Sequence, residues 1–185
     1  MKIEKLRAMS DGLKIALKYA KGKRRFVVIE GMYAESLVAQ KLLENGRTVE
    51  FHGGKYDLKV DGEHRIEVKC GKLWDFGASA SFGKGKQIKE EWFDYCVFVV
   101  IDSENFNPNR FFIFSREELE ECATHRPQMT MNETPSILFY YRDFKEFEEE
   151  SEKKGEPIFK IERSLHNHTE EFQDKWDKIG LQLNI

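Results

Sequence analysis

The sequence predicts an α/β fold with a mixed β-sheet core in the order αβββαβ, flanked by further helices. Three observations carry this. A stripe of helical spacing (Ala34, Leu37, Val38, Leu42) runs from Met32 to Glu44 and stops at Asn45-Gly46. The apolar period then shortens to that of strands, over three runs separated by Gly53-Gly54 and Asp61-Gly62. Further on, Tyr95 to Ile101 is unbroken and apolar, as in a strand covered on both faces.

Taken in order, Leu6, Leu13, Ile15, Ala16, Leu17 and Tyr19 fit one or two short helices, interrupted near Ser10-Asp11-Gly12. Phe26-Val27-Val28-Ile29 is an apolar run of ambiguous type ahead of the Met32–Glu44 helix. Arg47 to Phe51, Lys55 to Val60 and His64 to Cys70 read as the strands of a meander. Asp61-Gly62 supplies the positive φ angles of a type I′ turn. Gly71 to Gly83 reads as a loop rich in small residues, and Lys84 to Phe93 as a helix. That helix would carry a parallel crossover into Tyr95–Ile101. A strand from Arg110 to Phe114 follows a turn at Asn107-Pro108-Asn109, and Ser115 with Glu118 forms a capping box. Beyond Thr124 the pattern weakens to a strand at Ile137–Tyr141, a charged helix at Phe144–Lys154 and a last helix at Glu170–Ile179. The organisation expected is a basic helical segment over 1–25, a core over 26–123 and an extension over 124–185.

Hydrophobic residues make up 40% and charged residues 34% of the 185, which favours a folded chain over disorder. The net charge of −3 does not advertise a nucleic-acid partner, but the charge is unevenly spread. Lys2 to Arg25 is strongly basic, and Asp143 to Glu156 is dominated by acids. The odd set Cys70, Cys96 and Cys122 fits reduced thiols in the cytoplasm. No signal-type segment and no membrane-length apolar run is present, so no membrane association is expected.

Strand alternation turns this pattern into chemistry. With Leu58 and Val60 toward the core, Asp57 and Lys59 face the other way. With Ile66 and Val68 inward, Glu67 and Lys69 face that same second surface, where an exposed lysine carries little weight in stability. The tight turn makes the two strands neighbours, so Asp57, Glu67 and Lys69 converge. Two carboxylates suit a hard cation such as Mg²⁺ that also binds phosphate oxygens. An ammonium beside them orients water and offsets negative charge.

The segment Asp57…Glu67-Val68-Lys69 resembles the PD-(D/E)xK nuclease superfamily, over about Glu30 to Glu121. Tyr56 stands where many members carry proline, although the metal needs only the carboxylate that follows it. The resemblance implies a restriction-endonuclease-like fold and Mg²⁺-dependent hydrolysis of DNA, with Mn²⁺ able to substitute. It implies Asp57, Glu67 and the backbone carbonyl of Val68 as metal ligands, and Lys69 as the residue that positions the attacking water. Glu35 looks like the accessory metal-binding glutamate of the first core helix, and Gln87 like a glutamine kept near the site in several branches. A restriction-type endonuclease is expected, with a Holliday-junction resolvase or repair nuclease as the alternative. A non-catalytic DNA-binding protein on the same fold is the alternative of another class.

Lys72, Trp74, Lys84, Lys86 and Lys89 are the candidate DNA contacts. The lysines would meet phosphates, and Trp74 with Phe76 and Phe82 would stack on bases or wedge a duplex; a small satellite core is the competing reading of those aromatics. Asp57, Glu67 and Lys69 as a surface salt-bridge ladder is the plain alternative to the nuclease site. Cys122 and His125 with His166 and His168 have no zinc spacing of note. His52 and His64 flank the hairpin turns. A homodimer is expected from the need to cut two antiparallel strands, with Phe144, Phe147, Phe172 and Trp176 as its interface; packing of these aromatics on their own core is the competing possibility.

Overall fold

The computed structural model describes residues 2–20, 26–74, 77–82, 90–119, 137–141 and 172–179. Helices α1 (Ile3–Ala20) and α2 (Phe26–Glu44) precede the strands β1 (Val49–Phe51), β2 (Leu58–Val60), β3 (His64–Trp74) and β4 (Gly77–Phe82). Strands β5 (Tyr95–Asp102), β6 (Pro108–Ser115) and β7 (Ile137–Tyr141) complete a seven-stranded sheet. The protein is thus mixed α/β, with helices against a mixed sheet.

Strand β3 organises this sheet. It pairs antiparallel with β2 through Leu58↔Ile66, Lys59↔Arg65 and Val60↔His64. Along its other edge it pairs parallel with β5, from Ile66↔Tyr95 to Leu73↔Asp102. Its last residues also pair antiparallel with β4, starting at Lys72↔Ser79. The turn between β2 and β3 has positive φ at both Asp61 (53°) and Gly62 (73°), the signs of a type I′ turn. Val60 pairs with His64, however, so the loop holds three residues, Glu63 included, where the sequence suggests two. Asp61 also accepts the Thr48 N–H at 2.8 Å and pairs with Arg47 at 2.8 Å, which fastens the start of β1 to this turn. The Ser115 box is present in both directions, with Glu118 N–H on the Ser115 hydroxyl at 3.2 Å and Ser115 N–H on the Glu118 carboxylate at 2.7 Å.

Helices α1 and α2 run antiparallel, Arg7 near the start of one pairing with Glu44 at the end of the other at 3.0 Å. They cover one face of the sheet, burying Leu6, Leu17, Tyr33, Ala34, Val38 and Leu42 against Leu58, Val60, Ile66, Val68, Val97 and Val99. On the opposite phase of β5 and β6, Cys96, Phe98, Phe112 and Phe114 are also buried, with Phe98 edge-on to Phe114 at 6.0 Å.

Four expectations are corrected. Helix α1 is continuous through Ser10-Asp11-Gly12. The Ser10 hydroxyl meets the Ser36 hydroxyl of α2 at 2.6 Å and accepts from Gln40, so a tertiary contact replaces the local bonding that makes serine a helix breaker. Phe26-Val27-Val28-Ile29 is the first turn of α2, anchored by Phe26 against Phe106 at 6.1 Å. The segment read as a loop over 71–83 instead contains the end of β3 and all of β4. β4 pairs with β3 on one side and β7 on the other, and this supplies the hydrogen-bonding partners that its small residues do not advertise. Over 172–179, the last helix is reduced to one 3-10 turn, Trp176–Lys178. Gln173 bridges Phe112 instead. Phe172 lies on Phe114 at 4.4 Å and Trp176 on Phe111 at 5.3 Å, so both aromatics make contact with their own sheet. Phe144, Phe147 and the 144–154 helix lie outside the described residues, as does most of the 84–93 helix. Its described end, 90–93, is a turn followed by irregular backbone.

Leu58 lies under α2 with no exposed surface. Leu58→Ala is expected to lower the unfolding free energy by about 2–5 kcal/mol in urea titration. Lys59→Ala, on the adjacent and opposite-facing position, should change it by less than about 0.5 kcal/mol. Equal effects would contradict the inward phase of β2.

Candidate functional site

Strand β2 stops pairing at Leu58, and the residue before it decides what happens next. Asp57 still donates its own N–H to the Ile66 carbonyl at 3.0 Å, and accepts the His52 N–H at 2.8 Å on its carbonyl. Its carboxylate then takes the Val68 N–H at 2.7 Å, a position that a continuing strand would have filled with a carbonyl. From there to Lys72, where β4 begins to pair, no strand among the described residues covers this edge of β3. The result is a notch. In extended backbone a residue's carbonyl points to the same side as its N–H, so the Val68 carbonyl opens into the notch beside Asp57.

Glu67 and Lys69 lie along this uncovered stretch, out of phase with the inward Ile66 and Val68. Contrary to expectation, they do not sit on an exposed face. Glu67 is only 4% exposed and Lys69 is partly buried, and the two side chains form a close ion pair. Removing either partner would take a direct ion pair from a charge that is largely desolvated. Burial works against the Lys69 ammonium, yet the Glu67 carboxylate and, behind it, Asp57 hold its pKa above the ordinary value. Lys69 therefore stays charged across the accessible pH range and is unsuited to act as a base.

Burial raises the Asp57 pKa, while the Val68 N–H and the Lys69 charge pull it back. The strongest perturbation is at Glu35 of α2, whose pKa is pushed up to about 7. Burial is the main cause, followed by the charges of Asp57 and Glu67; Lys69 opposes them. The four residues named from the sequence thus share one electrostatic neighbourhood, drawn from a helix, a strand end and a neighbouring strand.

The donors fit a hard divalent cation. Asp57, Glu67 and the Val68 carbonyl are all oxygen groups, the donor type that Mg²⁺ favours. Among the described residues, which include Glu35, Asp57 and Glu67, no group of three or more His, Cys, Asp or Glu side chains is placed so as to hold a metal ion. Cys122, His125, His166 and His168 lie outside the described residues.

The other candidates divide. Gln87, Lys84, Lys86 and Lys89 lie outside the described residues. Trp74 is the last residue of β3. Lys72 points to α2, in an ion pair with Glu30 at 3.3 Å and 3.6 Å from the Phe26 ring centroid, so its charge is already engaged within the fold. Glu30 was not anticipated. Burial raises its pKa against the pull of Lys72 and a hydrogen bond from Cys70. Extending α2 back to Phe26 would have placed Glu30 on the helix. His52 flanks a hairpin turn in the sequence and Tyr56 precedes Asp57, and their rings stack at 4.0 Å and 17° directly beside it.

The raised Glu35 pKa has a signed consequence. Because the folded value of about 7 lies above the ordinary 4.5, the stability associated with Glu35 is present below about pH 4.5 and lost as pH rises through 7. Glu35→Gln should therefore melt above the native protein at pH 8, with the difference shrinking toward pH 5. Added Mg²⁺ should raise the native melting temperature more than that of Glu35→Gln at pH 8. A difference that is constant with pH would contradict this placement of Glu35.

No protein-family model and no curated protein matches this chain, so its functional reading stands on the geometry around Asp57.

Proposed function

We propose that the protein is a Mg²⁺-dependent nuclease of the PD-(D/E)xK type, hydrolysing phosphodiester bonds of DNA on a restriction-endonuclease-like core. The observation that carries the reading is the buried Glu67–Lys69 pair on either side of Val68, whose N–H the Asp57 carboxylate accepts, with Glu35 of α2 feeling the charges of Asp57 and Glu67. A surface salt-bridge ladder would not bury Glu67 or draw in a glutamate from α2.

Asp57 and Glu67 would hold the cation, with the Val68 carbonyl beside them and Glu35 supporting the ion or its water. Bound there, Mg²⁺ supplies an acidified water and stabilises the charge that grows on the phosphate. Lys69 donates hydrogen bonds while anchored by Glu67, which fixes the direction of the ammonium toward water or phosphate oxygen. With an ion held there, Glu35 would serve it as a carboxylate, so binding would be linked to loss of the Glu35 proton. Mn²⁺ would substitute, having similar oxygen preferences. DNA is the partner this chemistry serves. A two-fold dimer would suit cutting of both strands.

Cleavage of duplex, branched and single-stranded DNA with Mg²⁺ or Mn²⁺ tests the proposal. Lys69→Gln should cut roughly a hundredfold more slowly or worse, with circular dichroism showing a folded chain. Cleavage by a folded Lys69→Gln at the native rate, or no cleavage of any DNA by the native protein, would overturn it.

A further inference from the structure

The hairpin that delivers Asp57 also carries aromatic surface that the fold does not use. His52 is exposed and Tyr56 half-buried, and their rings stack at a centroid distance of 4.0 Å with 17° between planes. Gly54, between them, has φ of 147°, and a Cβ there would sit 3.8 Å from His52 Cε1. That distance is an ordinary contact, so it is the positive φ rather than space that favours glycine here. Phe51, at the start of the same turn, is 40% exposed. Lys55 reaches over the Trp92 ring at 5.7 Å, placing a cation and a further aromatic at its flank.

None of Phe51, His52 or Tyr56 belongs to the hydrophobic core. The turn is closed through its main chain, by the His52 N–H on the Asp57 carbonyl at 2.8 Å. The rings are therefore not what holds the hairpin. That same bond fixes the His52–Tyr56 stack one short turn from the Asp57 carboxylate.

We infer that the 51–57 hairpin is a stacking platform for an unpaired base of single-stranded DNA, beside the phosphate cleaved at the notch. This rests on the reading of the notch as a phosphodiesterase site. A base inside a duplex has both faces covered by its neighbours, whereas an unpaired one offers a face to the open side of His52. Stacking of this kind is tolerant of sequence because every base has a π-face. Lys55 suits the adjoining phosphate.

The test measures affinity for a short oligothymidylate and for an abasic phosphodiester chain of equal length and charge. Ca²⁺ replaces Mg²⁺ so that binding is read without turnover. The native protein should prefer the oligothymidylate by roughly tenfold. His52→Ala should bring this ratio near unity, and His52→Phe should keep it. A native ratio of one, or a His52→Ala ratio equal to the native one, would overturn the platform. Loss of cleavage in Lys69→Gln together with a native ratio of one leaves the nuclease reading standing and removes the platform. A ratio that responds to His52→Ala in a protein that cuts no DNA keeps the platform and removes the nuclease reading.

Discussion

The hydrogen bond from the Val68 N–H to the Asp57 carboxylate ends one structure and begins another. Up to Leu58 the hairpin is an ordinary ladder, with each strand satisfying its neighbour. At Asp57 a side chain replaces the main chain as acceptor, so β2 departs without leaving a buried donor unpaired. The departure leaves Glu67 and Lys69 on a stretch of β3 that no other strand among the described residues covers along this edge, and it brings Asp57 to the same opening. Without that substitution of carboxylate for carbonyl, the edge of β3 would be sealed and the charged residues would have no shared space.

The notch gathers charge where burial opposes it. Glu67 is almost wholly buried and answered by Lys69, while Glu35 is pushed up to about 7 with two carboxylates as neighbours. Such a pair is weak evidence of a device for stability, since a well-packed apolar pair of similar volume is often as stable. The strain among the carboxylates is the kind that a divalent cation relieves, and perturbed groups of this sort cluster at functional sites. The electrostatics and the geometry point to one use of the opening.

Much of this was legible in the sequence because alternation in a hairpin is rigid. Once Leu58 and Ile66 are inward, the phase of Asp57, Glu67 and Lys69 follows, and the three-residue loop 61–63, which pairs Val60 with His64, sets that register. The capping box at Ser115 was likewise a local signal with a local cause. What local pattern could not supply was tertiary. Ser10 looks like a break until Ser36 meets it, and Phe26–Ile29 has no type until Phe106 anchors its first residue. β4 consists of glycine, alanine, serine and one phenylalanine, and it is a strand because β3 and β7 flank it. Alternation also gives direction and not depth. It put Lys69 on the outer phase of β3 but could not show that the site there is half enclosed.

Isothermal calorimetry with Mn²⁺ on the native protein and on Asp57→Asn tests the central claim most directly. The asparagine carbonyl can still accept the Val68 N–H, so the hairpin keeps its departure from β3 while the site loses one negative charge. The native protein is expected to bind Mn²⁺ and release a proton near pH 7, and Asp57→Asn to bind at least roughly tenfold more weakly, within the range found for losses at metal sites. Equal affinity in two equally folded proteins would contradict the account, because the notch at Asp57 would then not be where the cation is held.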